Sequence, residues 1–314
     1  PKEPCSKCGS TDFEPEEDVL DTWMDSSITV QHVTGWLTEH KSRLPAQLRP
    51  QGHDIIRTWA FYTILRSMAL AGKRPWDSIL VNGMVLGEDG HKMSKSLGNI
   101  ISPEEVIKDY SADSFRQWAA IGGAPGSDVM FRWKDVVAAS RFFSKMWSIY
   151  RFSVSHFDDL DTSYVPEAEE LHIVDRWLLD KLHELITTAT ANMDAYQFDE
   201  AFKAIRGFAW DVVADNYIEL VKSRLYGTNA TDRKAAQYAL YVTIEALAKL
   251  LAPFAPFFAE EMYSRLGTGS VHMRSWPKAD ASWKDEEAGK AGELVKEIVS
   301  SVRRYKSEHG IALN

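Results

Sequence analysis

The sequence has little cysteine, no long apolar run and a deficit of positive charge. Its 314 residues include 2 cysteines, too few for the disulfide framework of a small secreted domain. No stretch approaches the roughly 20 apolar residues of a membrane-spanning helix, and no signal-peptide pattern opens the chain. The chain has 36 Lys and Arg against 45 Asp and Glu. This net charge of −9 argues against non-specific coating of nucleic acid, although a local basic face is compatible with it.

The two cysteines, Cys5 and Cys8, lie in the stretch PCSKCGS. A C-x-x-C pair followed by glycine is typical of a zinc knuckle, but tetrahedral zinc takes about four ligands and the sequence offers no second pair. Two hypotheses follow. Either Cys5 and Cys8 are half of a zinc site whose other half precedes this sequence, or they are a pair of free thiols.

From about Asp18 to Trp133, apolar segments of strand and helix type alternate. The stretch 18–27, DVLDTWMDSS, favours a short strand, whereas 54–72, DIIRTWAFYTILRSMALAG, has helical length and ends on a glycine suited to a C-cap. The stretch 78–87, SILVNGMVLG, is typical of a buried strand. This strand–helix–strand order predicts a parallel sheet with a crossover helix. Further on, SPEEVIKDY should open a helix, because Ser102 and Glu105 form a capping box.

After Trp133 the strand signals end, and apolar residues repeat at helical spacing. Four such runs predict four long amphipathic helices packed as a bundle, with the last run ending near Pro253 and Pro256. Beyond the bundle, the stretch 270–276, SVHMRSW, favours a strand, and 292–310, GELVKEIVSSVRRYKSEHG, favours a helix. The predicted fold class is therefore α/β followed by all-α.

The loop GHKMSKSLGN, residues 90–99, has the composition of a phosphate-binding loop. It should lie at the carboxyl edge of the parallel sheet, where α/β proteins bind ligands. Glycines allow close approach to a ligand, lysines supply positive charge and serines add hydroxyl donors: Gly87, Gly90, Gly98, Lys92, Lys95, Ser94 and Ser96. Such a loop suits a polyphosphate, whose bridging oxygen gains charge as a phosphoryl bond breaks. A solvated basic turn is the alternative for a bare K-x-x-K.

The string HKMSKSLGN resembles the KMSKS signature of class I aminoacyl-tRNA synthetases. Two further stretches, RPQGHDIIRTWAFYTILRS and VNGMVLGEDGHKMSKSLGN, together with DVLDTWMDSS, are similar to the second catalytic half of the valyl-tRNA synthetase family. The isoleucyl family shares the architecture but has roughly WFDSG where this chain has WMDSS, and GxDQHRGW where it has GHDIIRTW. Both comparisons favour the valyl family, and the isoleucyl family is the alternative.

The resemblance covers essentially the whole chain. The stretch RFFSKMWSIYRF and the helices after it are similar to the anticodon-binding bundle of that family. The implied domains are a partial zinc-knuckle-like segment (1–17), the second half of a Rossmann-like catalytic domain with the KMSKS loop (18–133), the anticodon-binding helical bundle (134–266) and a truncated small α/β segment (267–314).

Two expected parts of the family are missing from the sequence. The stretch QHVTGW, residues 31–36, lacks the second histidine of the HIGH-like signature, and no editing domain is present. We therefore expect the carboxyl-terminal part of a longer enzyme, truncated at both ends and inactive by itself.

The resemblance also implies roles for individual residues. Lys92 and Lys95 would stabilise charge on the ATP phosphates while the valine carboxylate attacks the α-phosphate and pyrophosphate leaves. Trp23 and Trp59 would form walls of the amino-acid pocket. The implied ATP-binding residues are Gly52 and Asp54 at the ribose, Met84, Val85 and Leu86 at the adenine, and Lys92, Ser94, Lys95 and Ser96 at the phosphates. Other roles suit some of these residues, since an acid such as Asp54 favours a helix N-terminus and most tryptophans are core residues.

The implied ligands and partners follow from the same family. They are valine, ATP with Mg²⁺ held mainly by phosphates and water, Zn²⁺ in the longer protein, and tRNA(Val) read by the bundle through stacking and contacts with unpaired bases. Candidate tRNA-contacting cations on the bundle surface are Arg141, Lys145, Arg151, Lys222 and Arg224. We expect a cytoplasmic monomer with no membrane partner. A tRNA-binding module without a catalytic role and another nucleotidyltransferase on a related fold are the remaining alternatives.

Overall fold

The computed structural model of the protein describes residues 3–19, 21–38 and 43–312. Residues 1–2, 20, 39–42 and 313–314 lie outside the described residues, and with them Leu20 of the predicted first strand and both chain ends. The chain forms two compact units, Pro1–Asn82 and Gly83–Asn314. The division falls inside the segment 18–133 that the sequence analysis groups together, and the domain bounds given there stay a prediction.

The first unit begins with two short helices, α1 (Thr22–Ser26) and α2 (Thr29–Val33). The strand predicted over 18–27 is therefore wrong. The carboxylate of Asp21 accepts a hydrogen bond from the backbone N–H of Trp23 at 3.0 Å and so caps α1. This cap satisfies a backbone donor at the helix start, which favours a helical turn over an extended chain.

A two-stranded parallel sheet follows in the same unit, formed by β1 (Ala46–Gly52) and β2 (Trp76–Asn82). The strands are joined through a 3₁₀ turn (His53–Ile55), a π-helical turn (Ile56–Ala60) and α3 (Phe61–Ala71). Gly72 ends α3 in the left-handed conformation with φ 62°, as predicted. The parallel sheet and its crossover helix are confirmed, although the first strand is β1. The polar residues and proline of β1 conceal the apolar alternation by which a strand is recognised.

The buried strand predicted over 78–87 is divided between the two units. Its first part belongs to β2, whereas β3 (Val85–Leu86) pairs in parallel with β4 (Val129–Met130) of the second unit. Gly83 permits the close approach of these segments, since a Cβ there would lie 1.8 Å from the carbonyl oxygen of Ser127. The expected burial is also wrong, because most β2 side chains and that of Val85 are exposed or half-buried. A sheet of two strands is too small to bury its own side chains.

The second unit continues with α4 (Pro103–Asp109), α5 (Ala112–Gly122) and α6 (Trp133–Val154). The predicted start of α4 is confirmed, since the hydroxyl of Ser102 accepts a hydrogen bond from the backbone N–H of Glu105 at 3.2 Å. Buried side chains from these helices and from the end of β4 form a small cluster, here called the loop core: Val106, Trp118, Phe131 and Val136.

The remaining long helices form a bundle with α6, as predicted. In chain order they are α7 (Ile173–Asp194), α8 (Phe198–Gly207), a π-helical segment (Phe208–Tyr217), α9 (Ile218–Leu225), α10 (Ala230–Leu251) and α11 (Pro256–Tyr263). Large, almost fully buried side chains fill the core: Phe142, Met146, Trp177, Leu178, Phe202 and Tyr217. The fourth apolar run ends where the prolines predict, and Pro256 begins α11.

The segment after the bundle differs in part from its prediction. The strand expected over 270–276 is wrong, because Val271–Met273 form a single 3₁₀ turn. The final helix is confirmed as α12 (Glu286–Glu308). It packs closely on α7 at Gly292, where a Cβ would lie 2.0 Å from the ring of Trp177. Within residues 3–19, 21–38 and 43–312, no helix is both long and apolar enough to cross a membrane.

A buried ion pair joins the helices of the bundle. The Asp175 carboxylate on α7 has no exposed surface and lies 2.6 Å from the guanidinium of Arg224 on α9. Asp175 also accepts a hydrogen bond from the hydroxyl of Tyr217 at 2.8 Å, while Arg224 donates to Asp232 on α10 at 3.0 Å. The prediction that Arg224 is a surface cation is therefore wrong, since only 8% of its side chain is exposed. The position of Arg224 in the sequence of its helix could not show that the buried Asp175 carboxylate lies opposite it.

We expect Asp175→Ala to lower the free energy of unfolding by about 3–5 kcal/mol, because the buried Arg224 charge would lose its carboxylate. The control is Lys222→Ala, which removes an exposed pair with Glu219 and should cost about 0–1 kcal/mol. Urea unfolding of this chain, followed by circular dichroism, measures both. Equal losses in the two variants would contradict the role given to the buried pair.

Candidate functional site

The lysine loop leaves β3 through a tight turn in the second unit. The backbone N–H of Gly87 donates to the carbonyl of His91 at 2.8 Å, and that of Gly90 donates to the carbonyl of Gly87 at 2.9 Å. Gly90 adopts φ 77°, a conformation that glycine takes without strain. Leu86 and Lys92 form an antiparallel bridge, so the chain turns back beside the strand that it has left.

Met93 anchors the loop between the two lysines. Its side chain packs against the loop core, whereas Lys92 and Lys95 on either side are exposed. The ammonium group of Lys95 has no hydrogen-bond or ion-pair partner within the part of the chain that the structure describes. The apolar anchor therefore fixes the middle of the loop and leaves the Lys95 charge available to an anion.

The carboxamide of Asn99 closes the base of the loop. Its oxygen accepts a hydrogen bond from the backbone N–H of Ser94 at 2.9 Å, and its nitrogen donates to the carboxylate of Asp89 at 3.1 Å. Asp89 also accepts from the backbone N–H of His91 at 3.0 Å. The His91 N–H, together with the Asn99 amide, holds the pKa of Asp89 below its ordinary value, so this carboxylate stays ionised as an acceptor.

The other predicted nucleotide residues of the second unit lie on this loop or on β3. The hydroxyls of Ser94 and Ser96 are 3.2 Å apart. The backbone N–H of Leu97 donates to the Ser94 hydroxyl at 3.3 Å. Met84 and Leu86 use backbone groups to hold β4: the carbonyl of each accepts an N–H of that segment at 2.9 Å. The carbonyls of Met84 and Leu86 are thus already paired within the protein.

Gly52 and Asp54 lie together in the first unit. Gly52 is the last residue of β1 and the N-cap of the 3₁₀ turn that follows, and Asp54 is an exposed acid in the first turn. The position combines the carboxyl end of a parallel strand with a helix N-terminus. It suits both readings of Asp54, as a ribose ligand and as a helix-terminal acid.

The two predicted pocket tryptophans also lie in the first unit. Trp59 is 5% exposed and stacks on Trp76 with ring centroids 5.7 Å apart, and the guanidinium of Arg49 lies 3.5 Å from its ring centroid. Its indole N–H donates to the carbonyl of Ser26 at 3.1 Å. Trp23 packs, partly buried, against the same cluster. Trp59 is thus a core residue by its contacts.

Trp59 nevertheless borders a cavity. A space of about 170 Å³ is lined by threonine and apolar side chains, by the Arg49 guanidinium and by the two stacked rings: Thr29, Val30, Val33, Thr34, Ala46, Leu48, Arg49, Trp59 and Trp76. Burial lowers the pKa of Arg49. The cavity is large enough for a small aliphatic side chain, and Trp23 does not line it.

Cys5 and Cys8 lie in a tight turn of the first unit. The backbone N–H of Cys5 donates to the carbonyl of Ser10 at 2.9 Å, and Gly9 adopts φ 74°. Hydrogen bonds from the Lys7 and Cys8 backbone lower the pKa of the Cys5 thiol, which favours the thiolate that binds metal. Both cysteines are free thiols, and no group of three or more possible metal ligands occurs among the described residues. The turn therefore offers two of the about four ligands that structural zinc needs.

The bundle carries several of the predicted RNA-contacting cations on its surface. Arg141 and Arg151 are exposed, and Lys222 lies 5.9 Å from the ring of Phe152. Lys145 is already paired, at 2.5 Å from the carboxylate of Asp215. One aromatic residue on this surface was not predicted from the sequence.

That residue is Tyr226, which follows α9 and is 70% exposed. Its ring meets that of His156 edge to face at 4.8 Å. Exposed and supported by a second ring, it has the surface that unpaired bases stack on.

Other residues of the site also escaped the sequence analysis, namely Asp89, Met93, Asn99 and Arg49. The loop motif drew attention to its charged and hydroxyl side chains. For Asp89, Met93 and Asn99, the signal was the placement of polar residues on both sides of the lysines and of one apolar residue between them. Arg49 on β1 carried no comparable signal. The structure brings Met84, Val85 and Leu86 together with the lysine loop in the second unit, and Gly52, Asp54, Trp23 and Trp59 together in the first.

Comparisons with known proteins match two segments of the chain to family models. The family model "tRNA synthetases class I (I, L, M and V)" matches residues 2–132, and the "Anticodon-binding domain of tRNA ligase" matches residues 175–314. The chain is 69% identical to a valine–tRNA ligase of Methanosarcina barkeri over 317 residues and 55% identical to one of Archaeoglobus fulgidus over 319 residues. All of this chain is covered in both, against 36% of each relative, so the chain spans about a third of their length.

Solved structures share the fold at low sequence identity. A LeuRS–tRNA–LeuAMS ternary complex from Agrobacterium radiobacter K84 superposes with a TM-score of 0.73 at 21% identity, covering 90% of this chain and 35% of that one. A methionyl-tRNA synthetase of Mycobacterium tuberculosis bound by methionyl-adenylate gives 0.64 at 22% identity, covering 79% of this chain and 50% of that one. The α/β half followed by a helical domain is thereby confirmed as the fold class.

Proposed function

The chain belongs to the class I tRNA synthetases, and from that premise we propose that it carries the phosphate-binding loop and the tRNA-binding bundle of a valine–tRNA ligase. Such a protein activates valine with ATP, releases pyrophosphate and transfers valine from the adenylate to tRNA(Val). The observation that carries the proposal is the anchored loop that presents the Lys95 ammonium group without a partner among the described residues. The isoleucyl alternative is not favoured, since the relatives at 47–69% identity are valine–tRNA ligases.

The loop would act electrostatically, by stabilising negative charge on the phosphates. When the valine carboxylate attacks the α-phosphate, the bond to pyrophosphate breaks and negative charge grows on the leaving phosphates. Lys92 and Lys95 would meet that charge as ammonium groups, and no covalent bond to the protein forms. The Ser94 and Ser96 hydroxyls, 3.2 Å apart, would donate to the same oxygens. Mg²⁺ would accompany ATP and neutralise part of the phosphate charge, held mainly by phosphates and water.

The first unit would bind the ribose and the valine side chain, whereas the positive charge for the phosphates would come from the lysine loop. Gly52 allows close approach of a ribose to the backbone, and Asp54 would accept hydrogen bonds from its hydroxyls. The cavity beside Trp59 has room for a β-branched side chain, and its threonine and apolar lining suits valine. Such a pocket rejects the isosteric threonine only weakly, for which the valyl enzyme is the established example. Trp23 would contribute as a neighbour of Trp59 in the same cluster.

Zinc at Cys5 and Cys8 would need about two further ligands, so no step of the reaction is assigned to it. The free thiols suit a reducing compartment, which supports the cytoplasm as the place of action. The monomeric state expected above stays a prediction.

We expect Lys95→Ala, made in the full-length protein, to lower the rate of valine-dependent ATP–pyrophosphate exchange on the order of a hundredfold to a thousandfold, as loss of one charge-stabilising contact commonly does. Valine binding should be unchanged, because the lysine acts on phosphate charge. Lys108→Ala, at an exposed lysine of α4, is the matched control. An exchange rate equal to that of the control would show that the loop does not act on the phosphates.

This chain by itself should show no valine-dependent pyrophosphate exchange. It contains the KMSKS side of the family's ATP-binding residues but no HIGH-like motif, and holding the reactants in line contributes up to roughly 7–11 kcal/mol in well-oriented systems. The full-length protein is the positive control. Robust exchange by the chain alone would mean that the KMSKS side suffices.

The chain should nevertheless bind tRNA through its bundle, and Tyr226→Ala should weaken that binding by roughly 1–3 kcal/mol, the usual contribution of base stacking on an aromatic ring. Tyr226 follows α9 and lies near the end of α6. Because α6 has 22 residues, that end lies roughly 33 Å from Trp133, where the helix begins. Phe257→Ala is the control, since this phenylalanine of α11 is 71% exposed. Filter binding of tRNA(Val) and a non-cognate tRNA at two salt concentrations measures the effect. Equal losses in both variants would exclude stacking at Tyr226, and equal binding of both tRNAs would exclude anticodon reading.

A further inference from the structure

Asp89 and Asn99 face each other across the base of the lysine loop. They lie ten positions apart, on the two sides of Lys92 and Lys95, and the Asn99 nitrogen is 3.1 Å from the nearer oxygen of the Asp89 carboxylate. Gly87 makes room for this contact, since a Cβ there would lie 2.8 Å from Asp89 Oδ1 and 3.1 Å from Asn99 Nδ2. We call this pair the clasp.

Each end of the clasp is also tied to the backbone of the loop. Asn99 accepts the backbone N–H of Ser94 at 2.9 Å and lies 3.4 Å from the carbonyl oxygen of Lys92, to which its nitrogen donates. Asp89 accepts the backbone N–H of His91 at 3.0 Å. The carboxamide therefore holds the chain on both sides of Met93, the residue that is anchored in the loop core.

The clasp divides the loop into a held part and a projecting part. Residues 91–94 are tied by the clasp and by the Met93 anchor. Beyond them Leu97 is 62% exposed and Gly98 adopts φ 65°. Lys95 directly follows Ser94, the last residue whose amide the clasp holds.

We propose that Asn99 and Asp89 are positioning residues, which hold the backbone on both sides of Met93 and thereby place Lys92 and Lys95 for contact with the phosphates. The inference rests on the proposed function of the loop. Charges that are already oriented cost no rearrangement when charge develops in the reaction, which is why preorganisation raises a rate more than it tightens substrate binding.

The hydrogen-bond chemistry of the pair gives a direct test by exchange of the two side chains. Asn99→Asp places two carboxylates face to face and removes the donor. Asp89→Asn keeps its oxygen on the His91 N–H and so puts an NH₂ group in the place of the carboxylate oxygen nearer to Asn99. Two NH₂ groups then face each other, because Asn99 keeps its own oxygen on the Ser94 N–H. The double variant restores the contact between the two side chains with its direction reversed, because the new amide at position 89 donates to the new carboxylate at position 99 and each still accepts its own backbone N–H. The weaker donation to the Lys92 carbonyl is not restored.

In the full-length protein, we expect each single variant to lower kcat for valine-dependent pyrophosphate exchange by on the order of ten- to a hundredfold, the effect of a misplaced catalytic group, with the KM for ATP nearly unchanged. The double variant should recover most of the loss, which a merely destabilised fold would not do. Lys108→Ala serves again as the control for an exposed substitution on the neighbouring helix.

A second measurement on this chain is independent of activity. Hydrogen exchange at the Ser94 amide should be fast in each single variant and slow again in the double variant, because the Asn99 oxygen protects that N–H. Single variants that lose this protection but keep kcat would overturn the positioning role, as would single variants that lose neither. If the full-length wild-type protein showed no valine-dependent pyrophosphate exchange, the proposed function would be overturned and the positioning role with it. Protection of the Ser94 amide from hydrogen exchange would still report whether the clasp forms.

Discussion

The Asp175 carboxylate is the interaction on which the second unit most depends. A charge with no exposed surface is tolerated only when its lone pairs are satisfied, and here Arg224, the Tyr217 hydroxyl and the His172 backbone N–H all reach it. These partners belong to α9, to the π-helical segment and to the start of α7. One carboxylate thus joins three helical segments at that end of the bundle.

The bundle in turn supports the lysine loop through α6. The first turns of this helix supply Val136 to the loop core, and the rest of the helix supplies Phe142 and Met146 to the bundle core. The helix therefore belongs to both cores, and Met93 rests on the smaller one. The loop gains an apolar support that its own ten residues could not provide.

The loop solves a problem common to sites that handle phosphate. Two lysines must be close enough to act on one ligand, although like charges repel and long side chains lose conformational freedom when they are held. Here the backbone rather than the side chains is restrained, by the Met93 anchor and by the Asn99 carboxamide. Lys92 and Lys95 remain exposed, so their charges are not buried while the loop is held.

Local patterns in the sequence were sufficient for the long helices of the bundle, for the crossover helix with its Gly72 cap, for the Ser102 cap and for the lysine loop with its family. Each depends on residues within a few positions of one another, whose spacing and capping chemistry act before any tertiary contact forms. Only the tertiary structure decided that residues 22–26 are helical, that β1 is a strand, that Arg224 is buried and that Asn99 meets Asp89. Burial, pairing of strands and contacts across a loop depend on what lies opposite in space, and the energies of those long-range contacts outweigh local propensity.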